Sequence, residues 1–222
     1  MHPPRTDLSR TQQTCILLGA PGDCGKRRLG CLMGPDAYRA AQLPEALRAL
    51  GLDVIDRGNR APAPHESDAP DAFLHKLNET IGWTRSLMQA AEAESANGVP
   101  VFMGGDHALA LGTVPGVANY AAAQGRPLFV LWLDAHSDYH TPQTTGSGNL
   151  HGTPVGYFTG RAGFDGFPEV TNPVPLENIC MIGLRSVDPE ERAAPDRTGV
   201  ARHDMRDIDE QGIARPLAAF LG

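Results

Sequence analysis

The amino-acid sequence predicts an α/β protein, a three-layer sandwich in which helices cover both faces of a central parallel sheet. Short apolar runs alternate with segments of helical periodicity, and this alternation is typical of parallel sheets. The runs are apolar throughout, as at 128–133, which indicates strands that are buried on both faces. The chain has 222 residues, 41% of them apolar, enough for a substantial core.

Five strands and the helices between them follow in chain order. The predicted strands are 14–20, 52–56, 99–105, 127–134 and 178–184. The glycine-rich segment 21–35 is predicted to be a loop, and a helical pattern follows over 36–51 with a break at Pro44. Residues 72–98 space their apolar side chains three and four apart, as a long amphipathic helix does, and 108–125 is predicted to be helical in part.

Composition excludes several classes of function. Nineteen Lys and Arg against 26 Asp and Glu give a net charge of −7 without a basic block, so nucleic acid is not an expected partner. The N-terminus has no apolar signal region and no apolar run is long enough for a membrane, so we expect a cytoplasmic protein without membrane contacts. The four cysteines form no CxxC pair and are interpreted as reduced and structural. Without internal repeats or a low-complexity linker, residues 1–222 are interpreted as a single domain.

Acidic and imidazole side chains follow the fourth predicted strand at alternating positions. Asp134, His136 and Asp138 project to one side if the extended backbone continues beyond the strand, at the sheet edge where ligands of parallel α/β proteins gather. Each of these residues alone is more often part of a solvated turn. Burying several unpaired charges would cost several kcal/mol each, and a metal ion removes that cost. The pattern therefore predicts a metal site.

A second predicted strand ends in the same way. The run 99–105 closes with a Gly-Gly pair, which permits a sharp turn, and continues into Asp106 and His107. Both strands would deliver acids and imidazoles to one rim. Because neither cluster contains cysteine, the donor set favours Mn, Fe, Ni or Zn, and its several carboxylates favour a two-metal centre that acidifies a shared water.

These segments resemble a known family. GGDHALALG (104–112) and DAHSDYHTPQTTGSGNLHGTPVG (134–156) closely resemble the two metal motifs of the arginase branch of the ureohydrolases, and IGLRSVDPEE (182–191) resembles the following substrate segment. GAPGDCGKRRLGCLMGPDAYRAA (19–41) resembles the family's N-terminal strand and glycine-rich loop. The resemblance runs from about residue 14 to the C-terminus and implies an arginase-like fold.

The resemblance implies that two Mn²⁺ ions hold a bridging hydroxide, which hydrolyses the guanidinium group of L-arginine to L-ornithine and urea. His107 would be a ligand of one ion and His136 of the other, and Asp134 and Asp138 would be bridging or shared ligands. His151 matches the position that shuttles protons to the leaving amine or to bulk water, a role that suits an imidazole.

The resemblance also assigns residues to the substrate. Thr145, Ser147 and Asn149 match positions that hold the α-carboxylate by neutral hydrogen bonds. Asp188 and Glu191 match positions near the α-amino group. Neutral donors on one side and carboxylates on the other favour arginine over agmatine. An ordinary polar loop and a helix start are the alternative interpretations of these two segments.

The chain departs from the family pattern in two places. His140 stands where many arginases have an asparagine that helps to bind the α-carboxylate. The strand that carries a DxDxxDP motif in the family is missing, so the domain is interpreted as incomplete at its C-terminus, with the C-terminal strands absent. Asp204, Asp207 and Asp209 precede a helical pattern and are predicted to be helix-capping acids rather than substitutes for that motif.

Three interpretations remain open at this point. The chain is an arginase or its N-terminal part, with a homo-oligomer expected of the full-length form. It is another ureohydrolase, such as an agmatinase or a guanidino-acid hydrolase. Or it is a truncated non-catalytic relative that keeps the fold as a binding or assembly module.

Overall fold

Every strand pairing is parallel in the computed structural model, which describes residues 13–188 and 199–221. The strands form two three-stranded sheets, one in the order β2-β1-β3 and one in the order β4-β5-β6. The strands are β1 Thr14–Ala20, β2 Asp53–Asn59, β3 Val99–Gly104, β4 Val130–Leu133, β5 Ile179–Leu184 and β6 Ala201–Asp204. The α/β class with parallel sheets is thereby confirmed.

Helices connect the strands as the crossovers of a parallel sheet require. The α-helices of the described residues are α1 Gly34–Ala40, α2 Leu43–Ala49, α3 Leu77–Ser95, α4 Ala110–Ala123, α5 Pro154–Phe158, α6 Met205–Gln211 and α7 Ala214–Leu221. Short 3₁₀ turns stand at His107–Leu109, Leu150–Gly152 and Leu176–Asn178. Within the described ranges, none of these helices combines the length and the apolar character needed to cross a bilayer.

The first sheet is covered on both faces. Ile16 and Leu18 of β1 pack against Ala90 of α3, and both strand residues are fully buried. On the opposite face, Gly19 lies so close to Pro35 of α1 that a β-carbon there would collide with it. The continuous apolar run of β1 is thus explained by helices on both sides and by a neighbouring strand on each edge.

Along β4, only one face of the second sheet packs against the main core. Val130 and Trp132 pack with Ile179 and Met181 of β5 against α4 and α5, with Phe158 at the centre of the cluster. The alternate side chains of β4 point the other way and are exposed. Because α4 also packs against α3, it links the two sheets.

The sequence interpretation is corrected in several details. The five predicted runs are strands, but they do not lie side by side in one sheet, because no described strand joins β3 to β4. The sixth strand, β6, was not predicted, since its sequence Ala-Arg-His-Asp is short and polar. The long helix begins at Leu77 rather than at residue 72. Pro44 does mark a break, because it stands in the first turn of a new helix.

Candidate metal and substrate site

The carboxyl ends of β3 and β4 lie at one rim, and each strand delivers its first polar residues there. After β3, Gly105 adopts a left-handed conformation with φ of 50°, which turns the backbone sharply. Asp106 then caps the short turn His107–Leu109 by accepting the Ala108 N–H. After β4, the Asp134 N–H donates to the Ile182 carbonyl of β5 at 3.1 Å, which fixes the start of the second cluster.

Three side chains converge between these two strand ends. The Nδ1 atom of His107 lies 2.7 Å from Oδ2 of Asp134 and 2.9 Å from Oδ2 of Asp138. One donor atom of each residue lies within 4.8 Å of the other two, and this is the one such group that the described part of the chain contains. The His107 ring stacks on Trp132 with centroids 4.3 Å apart, so a side chain of β4 supports the imidazole ring.

The backbone reaches this arrangement by a bend and not by an extended continuation of β4. The strand ends at Leu133, and Asp138 has a left-handed backbone with φ of 48°, an uncommon conformation for a residue other than glycine. The predicted alternation of side chains past the strand is therefore wrong. His136 lies outside the three-residue group, with its Nδ1 atom 3.2 Å from Oδ1 of Asp134.

Burial shapes the electrostatics of the cluster. Burial raises the pKa of Asp138, an effect that the nearby Asp134 carboxylate reinforces and His107 opposes. Burial also disfavours the charged form of His107, but its hydrogen bond to Asp138 and the charges of both carboxylates outweigh this, and its pKa is raised. The imidazole of His107 thus lies between the two carboxylates and, when protonated, balances part of their negative charge.

The donor set of this group fits a hard or borderline divalent ion. The three candidate ligand atoms are two carboxylate oxygens and one imidazole nitrogen. Mn²⁺ and similar ions bind oxygen and nitrogen ligands of this kind. Asp138 is 6% exposed, and a buried carboxylate in contact with another acid is the arrangement that a bound cation stabilises.

A pocket of about 280 Å³ opens above the cluster. It is lined by most of the residues that sequence analysis singled out. These are His107, Asp134, His136, Asp138, Thr145, Ser147, Asn149, His151 and Asp188. His140, which the resemblance places at an α-carboxylate position, also lines it, and so does Ser186, which the sequence did not single out. Glu191 lies outside the described residues.

The family follows from a comparison of the whole chain. The arginase family model matches residues 13–222, which include both strand ends of this site. The chain belongs to the arginase family. It is therefore related to hydrolases of the ureohydrolase type, and the resemblance of its motifs is confirmed over nearly its full length.

Individual relatives support the same conclusion. The chain is 52% identical to an arginase from Brucella melitensis over 209 residues, which are 93% of this chain and 68% of the relative. It is 52% identical to an arginase from Agrobacterium fabrum, covering 94% of this chain and 65% of that relative. The crystal structure of an arginase from Bacillus subtilis matches with a TM-score of 0.79 at 32% identity, over 94% of this chain and 69% of the other. The chain thus spans about two thirds of the length of these arginases.

The loop 145–149 lies at the pocket wall and is fixed by hydrogen bonds within the loop and to a neighbouring segment. The Thr145 hydroxyl donates to the Asn149 carbonyl at 3.4 Å, and the Asn149 N–H donates to Ser147 Oγ at 3.3 Å. Gly148 has φ of 72°, and its carbonyl accepts the His75 N–H at 2.9 Å. These contacts hold the loop against the segment before α3.

His140 contacts both sides of the pocket. Its Nδ1 atom lies 3.2 Å from Thr144 Oγ1, and its Nε2 atom lies 3.2 Å from Asp188 Oδ2. His140 is 9% exposed, whereas the side chain of Asp188 is 67% exposed. The histidine at this position thus makes a side-chain contact to Asp188. The sequence signal was the departure from the family's asparagine, but it gave no partner for the imidazole.

Two of the three acids near the C-terminus, Asp204 and Asp207, cap a helix as predicted, whereas Asp209 lies inside that helix. Asp204 accepts the Asp207 N–H at 2.9 Å, and the Asp207 side chain accepts the Asp204 N–H at 3.1 Å, which is a capping box at the start of α6. Asp204 is also the last residue of the short strand β6, which the sequence did not predict.

Proposed function

We propose that this site hydrolyses the guanidinium group of L-arginine to L-ornithine and urea with two Mn²⁺ ions. The observation that carries the proposal is the convergence of His107, Asp134 and Asp138 at the base of a pocket that polar recognition groups surround. Such a combination of metal donors and a shaped cavity is what metal-assisted hydrolysis requires.

The pocket suits a substrate that is an amino acid at one end. Thr145, Ser147 and Asn149 offer neutral polar groups for an α-carboxylate, and Asp188 offers a negative charge for an α-amino group. His140 lies in contact with Asp188, and an ordered carboxylate loses less entropy on binding a cation. This arrangement favours arginine over agmatine, which lacks the α-carboxylate.

The reaction needs a proton carrier as well as a nucleophile. Water adds to the guanidinium carbon, the bond from that carbon to the substrate nitrogen Nε breaks, and Nε gains a proton to leave as an amine. When bound, two Mn²⁺ ions would acidify the attacking water. Burial lowers the pKa of His151, although Asp106 and Asp138 oppose this, so a neutral imidazole is present at neutral pH to accept and pass on a proton.

The described residues offer few ligands for two ions. In the family pattern a later strand supplies two further carboxylates. The groove between the edges of β3 and β4 that pair with no described strand is lined by Val101, Phe102 and Leu133, and it ends at His107 and Asp134. We propose that the strand with the DxDxxDP motif lies in this groove beside β4, so that its carboxyl end completes the metal site.

Urea release by an extended chain tests this function. The 222-residue chain is fused to the C-terminal third of the arginase from Brucella melitensis, the part in which the family pattern places the DxDxxDP segment. We expect urea and ornithine from arginine in the presence of Mn²⁺, with much slower turnover of agmatine and guanidinobutyrate. A folded fusion with two bound ions and no arginine turnover would rule the proposal out. Preference for agmatine would instead favour the agmatinase alternative.

A further inference from the structure

A buried carboxylate outside the metal group joins three parts of the site. Asp106 is 9% exposed and follows the Gly-Gly turn after β3. Its Oδ1 atom accepts the Ala108 N–H at 2.9 Å, and its Oδ2 atom accepts the Gly25 N–H at 2.9 Å. The first bond caps the turn that bears His107, and the second reaches the glycine-rich loop 81 residues earlier in the chain. Both oxygens of this carboxylate are thus engaged by backbone N–H groups.

The same loop residue holds the backbone of His151. The Gly25 carbonyl accepts the His151 N–H at 2.9 Å, so the two polar groups of one residue face Asp106 and His151. The contact leaves no room for a side chain, because a β-carbon on Gly25 would collide with Asp106 Oδ1 and lie 2.6 Å from Ala108 Cβ. A glycine is required here for close approach and not for an unusual φ.

We propose that Asp106 is a positioning residue that holds His151 over the metal group through Gly25. The route runs from the Asp106 carboxylate to the Gly25 N–H, and from the Gly25 carbonyl to the His151 N–H. The assignment of a proton-carrying role to His151 rests on the proposed function, whereas the mechanical connection does not. His107 and His151 are thereby fixed relative to each other by one carboxylate.

The chemistry of the carboxylate is essential to this connection. Asp106 faces two N–H donors at once, which an ionised carboxylate satisfies with its two oxygens. An asparagine has one carbonyl oxygen, so its amide NH₂ would have to face one of the two N–H groups. Asp106→Asn therefore breaks one of the two bonds at nearly constant volume.

Hydrogen exchange of the 222-residue chain, kept dilute enough to stay in solution, tests the connection without turnover. We expect Asp106→Asn to speed exchange of the His151 amide by about tenfold or more, while the amides of β5 keep their protection. The matched control is Asp68→Asn. Asp68 also accepts two backbone N–H groups, those of Asn78 and Glu79 at the start of α3, and its loss should leave His151 unchanged. Unchanged protection of His151 in Asp106→Asn would overturn the proposal.

A second measurement does not depend on the folding of a variant. In the unmodified chain, the amides of Gly25 and His151 should open together, with the same dependence of exchange on denaturant concentration. Independent opening of the two amides would contradict the connection. In the extended chain, Asp106→Asn should lower kcat while KM for arginine stays nearly constant. If the unmodified extended chain releases no urea, the proposed function fails and the exchange result still decides the role of Asp106.

Discussion

The strands β1 and β4 have similar sequences and different surroundings. Both are continuous apolar runs, and sequence analysis predicted both to be buried on two faces. Leu17 of β1 is 0% exposed, whereas Leu131 and Leu133 of β4 are 41% and 64% exposed. β1 has a strand on each edge, and β4 has a described partner only on the side of β5. An apolar run therefore predicts which strand can be buried on both faces. It does not show that the described residues bury both faces.

The less covered strand carries the larger share of the site. Asp134 follows β4 directly, Asp138 lies in the bend after it, and His107 stacks on Trp132 of that strand. The first sheet contributes the scaffold and, through its loops, Gly25 and His107. A strand placed beside β4 would therefore bury exposed leucines and supply metal ligands at the same time, which joins the stability of the second sheet to catalysis.

The largest expected effect is that of supplying the proposed strand. The 222-residue chain alone should be poorly soluble, should bind at most one Mn²⁺ ion weakly, and should release no appreciable urea, because its described residues leave an apolar sheet edge open and offer too few ligands. The fusion with the DxDxxDP segment should be soluble, bind two ions and turn over arginine. Sedimentation, metal analysis and urea release on the two purified proteins measure this difference.

One result would remove the contrast between the two strands. If the short chain bound two ions tightly and showed normal turnover, the additional ligands would come from Asp204, Asp207 or Asp209, or from a neighbouring subunit. Two of these acids already form the capping box of α6, so the capping contacts would have to break.

The next largest effect concerns the free energy of unfolding. Leu17→Ala should destabilise the short chain by about 2–5 kcal/mol, because it leaves a cavity in a fully buried position. The matched change Leu133→Ala should cost less than about 0.5 kcal/mol, because that residue is 64% exposed. Urea denaturation of dilute protein compares the two variants. Equal losses would mean that β4 is as well covered in solution as β1.

A third effect separates metal binding from proton transfer at the rim of β4. Loss of a residue that contacts a metal ligand, but not the metal, typically weakens metal binding by about 10–100-fold. Asp138→Ala should weaken Mn²⁺ binding by more than this and should abolish turnover of the extended chain. His151→Ala should slow turnover and leave metal content nearly intact. Metal analysis by atomic absorption beside urea release measures both. Joint loss of metal and turnover in His151→Ala would make His151 a ligand.

The fold class and most pocket residues could be predicted from the sequence because they depend on local signals. The Gly-Gly turn before His107 and the acids after β4 mark strand ends, and strand ends of parallel sheets meet at one edge. The separation of β3 from β4 could not be predicted, because strand order depends on pairings that an apolar run does not encode. The bend at Asp138 was missed because an aspartate seldom adopts a left-handed backbone.

Asp106 shows a further limit of sequence reasoning. The sequence placed this acid next to His107, and an aspartate before a helical turn is a recognisable cap. Its second hydrogen bond, to Gly25, spans 81 residues, and no local sequence pattern predicts it. Long-range hydrogen bonds of this kind appear only when the loops are placed in three dimensions, which is why the positioning of His151 emerged from the structure.

The smallest effect concerns substrate choice at the carboxyl end of β5, where Asp188 lies. If its carboxylate receives the α-amino group, Asp188→Ala should weaken use of arginine by the extended chain by about 1.5–3 kcal/mol, the scale of a charge-assisted hydrogen bond. Agmatine should be little affected, because it keeps only the guanidinium end of the substrate. The ratio of kcat/KM for the two substrates measures this difference. His140→Asn is the companion variant: it removes the contact to Asp188, so it should produce a smaller loss on arginine alone. Equal losses on both substrates in Asp188→Ala would place Asp188 in the scaffold of the second sheet and leave the preference for arginine to the loop of Thr145 and Asn149.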